Sequence, residues 1–299
     1  MSSQPASSSI AIPFAVATLG ITSFSAMDAV MKHLALTLGA YNAMFWRISA
    51  AATIAGLLYF AMRSPWPTRA AMRVHLTRGI MTSVMGFFFF WGLARVPLAQ
   101  GVALSFVAPL IALYLAALLL KEKIERRAIF ASLLGFAGVL VIFAAQVREQ
   151  MGPDAFRGAL AVLAATILYA WNIILMRQQS QVARPVEIAF FSSLIVTCCY
   201  LPLAPVLATL PPTREIAPIA GAAALGVGSL ILLGWAYRRA QAQHLVPVEY
   251  TAFIWAALLG YLFFSEPVRP LTFAGAAMIV LACFIAARRT SVADPEAGV

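Results

Sequence analysis

Ten apolar runs, each closed by a short charged or Pro/Gly-rich break, limit the folds open to this chain more than any other feature. They lie near 11–32, 41–62, 74–94, 98–120, 127–146, 157–177, 187–208, 216–237, 246–264 and 271–287. A helix crossing a bilayer needs about 20 mostly apolar residues, with every backbone group bonded inside it. These runs meet that requirement. Charged residues make up 11% of the 299, against roughly 25% in a typical soluble domain, and 62% are hydrophobic. A soluble globular domain and a disordered chain are thereby excluded. An outer-membrane β-barrel is excluded too, because its strands alternate polar and apolar residues whereas these runs are unbroken. The chain is predicted to be an all-α polytopic membrane protein with ten transmembrane helices.

The formal net charge of +10 fits a membrane surface better than nucleic acid, since basic residues gather on cytoplasmic loops beside anionic lipid. With the N-terminus inside, the cytoplasmic segments hold Arg63, Arg69, Arg73, Lys121, Lys123, Arg126, Arg127, Arg177, Arg184, Arg238, Arg239, Arg288 and Arg289. The opposite side holds only Lys32, Arg95, Arg148, Arg157, Arg214 and Arg269. Both termini are therefore predicted cytoplasmic, in a bacterial inner membrane. The start MSSQPASSSI has no basic n-region, so the first span is expected to be retained. Cys198, Cys199 and Cys283 sit inside apolar runs and read as small packing residues, not as disulfides or metal ligands.

The chain also resembles itself at an offset of 144 residues. Trp91 maps to Trp235, Arg95 to Arg239, Glu122 to Glu266, Ser49 to Ser193 and Thr53 to Thr197 without a gap. Alanine and leucine matches are common by chance, so the Trp, Arg and Glu pairs carry the inference. Each repeat contains five spans, and an odd number makes the second copy enter the membrane inverted. Inverted-topology repeats are a hallmark of secondary transporters, with the binding site between the halves. The expected plan is a cytoplasmic tail at 1–10, a five-helix repeat at 11–146 and a loop at 147–156. A second repeat follows at 157–287, then a cytoplasmic tail at 288–299.

Two five-helix halves, each with a glutamate closing its fourth span (LLLKE at 118–122, LFFSE at 262–266), resemble the drug/metabolite transporter superfamily. The branch they are most similar to is its ten-helix EamA type, and within that the bacterial exporters of aromatic and other amino acids. Two departures stand out. Lys121 and Ser265 replace the glycine usual before that glutamate, and Glu249-Tyr250 stands where Glu-Pro is often found early in the ninth helix. The resemblance implies outward transport of small metabolites, with amino acids as the leading class.

Candidate site residues follow from cost and position. Ionisable groups inside a membrane are expensive and mark function by default. Glu249 and Arg78 are at similar depth near the cytoplasmic side and are expected to pair. Asp28 is expected to pair with Lys32, four residues on, or with Arg47. Ser105 and Glu249 are repeat equivalents on the inward faces of spans four and nine, beside small-residue pairs that let helices approach closely. Phe88, Tyr169, Trp171 and Tyr250, with Asn172 and Gln100, complete a set suited to a zwitterion with an apolar side chain. Asn172 is the repeat partner of Asp28. Pro109, in the middle of span four, is the expected bending element.

No G-x-x-x-x-G-K-[ST] loop, H-E-x-x-H or nucleophile elbow is present, so neither ATP hydrolysis nor catalysis is expected, and no cofactor or metal. The expected partners are a small-molecule substrate and the lipid bilayer. Export of drugs or other metabolites by the same fold is the nearest alternative. An integral-membrane enzyme is the alternative from another class, and a channel is disfavoured by the scarcity of polar positions.

Overall fold

The computed structural model describes residues 11–108, 110–112, 114–115, 126–148, 152–237, 239 and 248–287. Among these the regular structure is helical throughout. The first helix, α1 (Ala11–Ala61), is interrupted at Gly39, whose φ of 78° and ψ of 153° suit only glycine. Run straight, 51 residues would extend about 75 Å, far beyond a hydrocarbon core about 30 Å thick. The chain instead doubles back. A methyl placed on Gly226 would stand 3.4 Å from Nη1 of Arg47 and 3.7 Å from Cγ of Met27, atoms on opposite sides of the break. Residues 11–38 and 40–61 thus form two spans with almost no loop, and the first runs six residues beyond the apolar run that predicted it.

The remaining helices are α2 (Arg69–Leu93), α3 (Leu98–Ser105), α4 (Arg126–Arg148), α5 (Pro153–Val182) and α6 (Pro185–Tyr200). A 3-10 turn and the short α7 (Ala204–Leu207) prolong α6. Then come α8 (Thr213–Tyr237), α9 (Thr251–Phe264) and α10 (Pro270–Ala287). Their starts carry local signals. Thr68 caps α2 by accepting from the Ala71 amide at 3.2 Å, and Pro153 opens α5 where a missing N–H costs nothing. Among the described residues, α1, α2, α5, α6 with its extension and α8 are long and apolar enough to cross a membrane, α1 twice over, and α3, α4, α9 and α10 supply shorter apolar helices at the places of the other predicted spans. We call the side where residue 11 lies the N-face, and the other the far face.

Packing follows the repeat. Residues 11–38 lie antiparallel to α8, with Gly20 against Leu233 and Met27 near Gly226. The inverted counterpart is α2 against α5, with Gly92 against Gly158 and Val162. Carried by 144, the Gly20–Leu233 pair becomes 164 with 89, within one turn of that second contact. Trp91 and Trp235 confirm the offset at atomic level. The Arg95 guanidinium lies 3.6 Å from the Trp91 ring centre, and that of Arg239 lies 4.0 Å from the Trp235 ring. The fifth spans, α4 and α10, cross through glycine, since a methyl on Gly138 would come within 2.7 Å of the Gly275 carbonyl. Small residues at such crossings let dispersion contacts form in lipid, where no hydrophobic drive joins helices.

Candidate functional site

Phe106 and Tyr250 are equivalent under the 144 offset, and their rings meet edge-to-face at 5.2 Å between centres. A residue that touches its own repeat partner lies at the pseudo-two-fold axis, so this pair marks the centre of the molecule. Both helices depart from α geometry there. The amides of Phe106 and Val107 bond three residues back, to Ala103 and Leu104, and the amide of Phe253 bonds to Tyr250. Ser105 and Glu249 flank the ring pair as equivalents; the Ser105 hydroxyl donates to the Gly101 carbonyl at 3.1 Å. Pro109 lies outside the described residues, but the tightened turn stands just N-terminal to it.

Toward the far face, an ion pair joins the two repeats. The Lys32 ammonium, 2% exposed, bonds Glu266 Oε1 at 2.5 Å and the Val96 carbonyl at 2.6 Å. The other Glu266 oxygen accepts from the Leu98 amide at the start of α3, at 2.8 Å. Local backbone aims this carboxylate. Ser265 adopts a left-handed φ of 54°, and the Glu266 amide turns back to the Gly260 carbonyl at 3.1 Å. The glycine usual at this position in similar proteins is thereby explained, because a left-handed backbone costs a side chain about 1–2 kcal/mol. Lys32 therefore pairs with Glu266 and not with Asp28, a correction to the sequence expectation. Gln100 is buried nearby, lining a shallow recess with Glu266 and Thr272, and its Nε2 has no partner.

Toward the N-face, a buried chain of side chains joins α2 of the first repeat to α5 and α6 of the second. Arg78 donates to Asn172 Oδ1 at 3.0 Å, to Gln179 Oε1, and at 3.5 Å to the Ser192 hydroxyl. Gln179 Nε2 meets His75 Nδ1 at 2.6 Å, and His75 Nε2 meets Glu187 at 3.1 Å. These bonds occupy Arg78 in place of the expected pair with Glu249. His75, Gln179 and Glu187 were not singled out in the sequence. Gln179 fell beyond the predicted end of span six because α5 runs on to Val182, past the end of its apolar run.

Between these two ties lies a region of unmatched polarity. Asp28 is 6% exposed, and its Oδ1 has no hydrogen-bond partner; neither has Nε of Arg47, nor the hydroxyl of Ser229. Asp28 and Arg47 form no ion pair with each other within bonding distance. The Arg47 guanidinium lies 5.9 Å from the Phe90 ring centre. In the aromatic run of α2 it is Phe90 that is buried, whereas Phe88 is exposed. Trp171 is also exposed, next to the buried Asn172.

Tyr169 differs from these exposed aromatics. It shares the packed arc of α5 with buried Asn172 and Thr166, three residues either side, yet is 37% exposed. Its position on that arc turns it toward the neighbouring helices of the bundle. Met176, seven residues on and 40% exposed, continues that accessible stripe toward the N-face. Among the described residues, no cluster of three His, Cys, Asp or Glu side chains is placed to hold a metal ion.

Comparison with known proteins agrees with this architecture. The model of the EamA-like transporter family matches residues 11–144 and again 156–288. The chain is 30% identical over 279 residues to the pseudopaline exporter CntI of Pseudomonas aeruginosa, covering 91% of this chain and 95% of that one. It is 26% identical to an S-adenosylmethionine uptake transporter of Rickettsia felis, covering 88% and 87% of the two chains. A riboflavin transporter of Rhizobium johnstonii is also 26% identical, with 87% and 85% covered. A crystal structure with 17% identity superposes with a TM-score of 0.60 over 93% of this chain and 96% of that one, and so shares the fold. Two inverted five-helix repeats, tied to each other on both sides of a polar centre, are thus joined to a match over nearly the full length: the chain belongs to the EamA-like transporter family of the drug/metabolite transporter superfamily and moves small metabolites across a membrane.

Proposed function

We propose that this protein exports small metabolites, amino acids with aromatic and other neutral side chains foremost, by alternating access between its two repeats. The observation that carries this reading is the pairing of two inverted repeats around buried polar groups. They are tied toward the far face by Lys32–Glu266 and toward the N-face by the Arg78–Gln179–His75–Glu187 chain, with Asp28 and Arg47 between the ties. A channel needs a path continuous from side to side; a carrier needs access from one side at a time. The excess of Lys and Arg on the N-face supports reading it as the cytoplasmic side, from which a solute would load before export. Mostly apolar walls with a few placed polar groups suit small organic solutes. Relatives named for exporting pseudopaline, and for taking up S-adenosylmethionine, support a carrier whose direction is set by gradients.

Counterflow tests this. Purified protein in liposomes preloaded with unlabelled phenylalanine, methionine, leucine or threonine is given the labelled amino acid outside. The proposal expects saturable transient accumulation that any preloaded substrate of the set supports. Uptake that never saturates indicates a pore. Absence of amino-acid flux in protein that exchanges riboflavin or a cationic drug overturns the amino-acid assignment in favour of another metabolite.

A further inference from the structure

Among the described residues, four side chains keep a buried polar atom without a partner (Asp28, Arg47, Gln100 and Ser229), and of these only Asp28 and Arg47 are ionisable. A buried polar atom without a partner costs about 1–3 kcal/mol, and ionised groups cost more. Natural structures keep such atoms where something else satisfies them. The other ionisable side chains in the described interior are occupied. Lys32 has Glu266 and Val96, Arg78 has Asn172 and Gln179, and His75 has Glu187 and Gln179. Asp28 and Arg47 differ. They lie on the two antiparallel spans of α1, where Arg47 and Met27, the neighbour of Asp28, both reach Gly226, and each keeps an unbonded polar atom inside the protein. Around them stand Met27 and Met44 and, 5.9 Å from the guanidinium, the ring of Phe90. Gly226 opposite leaves room for the guanidinium, since a methyl there would stand 3.4 Å from Nη1.

One carboxylate and one guanidinium, near but unjoined in an apolar setting, are complementary to a solute carrying both an ammonium and a carboxylate. Resting on the carrier reading above, we propose that Asp28 binds the ammonium and Arg47 the carboxylate of an amino-acid zwitterion, whose side chain lies against Phe90. A guanidinium meets a carboxylate through paired N–H donors, which fixes orientation as well as adding strength. The bound zwitterion would satisfy both unbonded atoms at once. A solute with one charged end satisfies only one of them, so the same geometry discriminates against simple amines and simple acids.

The test matches ligand truncation to side-chain truncation. Binding of phenylalanine, phenethylamine (no carboxylate) and 3-phenylpropionate (no ammonium) to purified protein in nanodiscs is measured by calorimetry. In the wild type, phenylalanine should bind at least about tenfold more tightly than either analogue, the size of one charged hydrogen-bonding end. Asp28→Asn should bring phenylalanine down to the affinity of 3-phenylpropionate while leaving that analogue unchanged. Arg47→Gln should do the same with respect to phenethylamine. A purely structural role weakens all three ligands alike and overturns the assignment. So does counterflow of phenylalanine by both variants at wild-type affinity, which would leave the carrier reading intact. Failure of every amino acid in wild-type counterflow overturns the amino-acid reading itself, and this inference with it.

Discussion

Replacing Glu266 with glutamine should favour opening of the far face while leaving the fold in place. The wild-type carboxylate bonds an ammonium that is 2% exposed, at 2.5 Å, and the Leu98 amide at 2.8 Å. Glutamine keeps an acceptor at the site and removes only the charge. Hydrogen bonds to charged groups are worth about 1.5–3 kcal/mol against about 0.5–1.5 for neutral ones, and the Lys32 charge is left buried with only the Val96 carbonyl. The Glu266 side chain is 22% exposed, which moderates the loss, so about 2 kcal/mol is a fair figure. If that energy holds the two repeats together, opening becomes roughly thirtyfold more frequent, at 1.4 kcal/mol per factor of ten. Thr272 is buried beside Glu266 and Gln100 and serves as the reporter. In a background without Cys198, Cys199 and Cys283, Thr272→Cys should react with a membrane-impermeant maleimide about thirtyfold faster when Glu266→Gln is added. Adding Lys32→Met as well should slow the reaction again, because no uncompensated charge remains. Arg157→Ala, which removes an exposed pair with Asp154 at 3.5 Å, should change nothing. An unchanged rate in Glu266→Gln, or an equal rise in Arg157→Ala, refutes the reasoning.

Four further outcomes follow from backbone and packing. Ser265→Gly removes a side chain from a left-handed position and should raise thermal stability in detergent by about 1 kcal/mol. Gly275→Ala would force a methyl to 2.6 Å from the Gly138 carbonyl and should cost about 1–3 kcal/mol. Gly221→Ala meets nothing within 4 Å and should be neutral or stabilising by up to about 1 kcal/mol on the same scale. Gln179→Leu strands His75 Nδ1 and one bond of Arg78 in a buried site, so a loss of about 2 kcal/mol is expected by thermal unfolding, with transport of any substrate slowed.

Which parts of this architecture can be read from sequence depends on whether the signal is periodic. Spans, their number and the 144-residue offset are periodic properties of one chain, and Trp91–Arg95 and Trp235–Arg239 reproduce the offset as matching cation–π contacts. The Lys32–Glu266 pair is not periodic. Its members are 234 residues apart, and Asp28, one turn from Lys32, is the nearer partner by any local rule. Gln179 was missed because hydropathy ends a span where apolar residues end. A helix ends where its backbone bonds end, and here a buried polar network continues α5 past that point. Tyr250 was singled out from sequence, but its contact with Phe106 depends on how α3 and α9 cross, which no single-helix pattern encodes. Among the aromatics Phe87 to Trp91, five consecutive positions cover nearly every helix face, so only packing could select Phe90 as the inward one.

Under alternating access, opening one face closes the other. Maleimide reaction rates at both ends of the path, measured in the same background, report this: Met176→Cys from the N-face and Thr272→Cys from the far face. Each is measured with and without Glu266→Gln, and with and without saturating phenylalanine. Alternation predicts opposite changes, with Thr272→Cys faster and Met176→Cys slower when Glu266→Gln is present, and a reciprocal redistribution of the two rates on adding substrate. Rates that rise together at both positions would mean a loosened bundle or a pore, and would contradict the account.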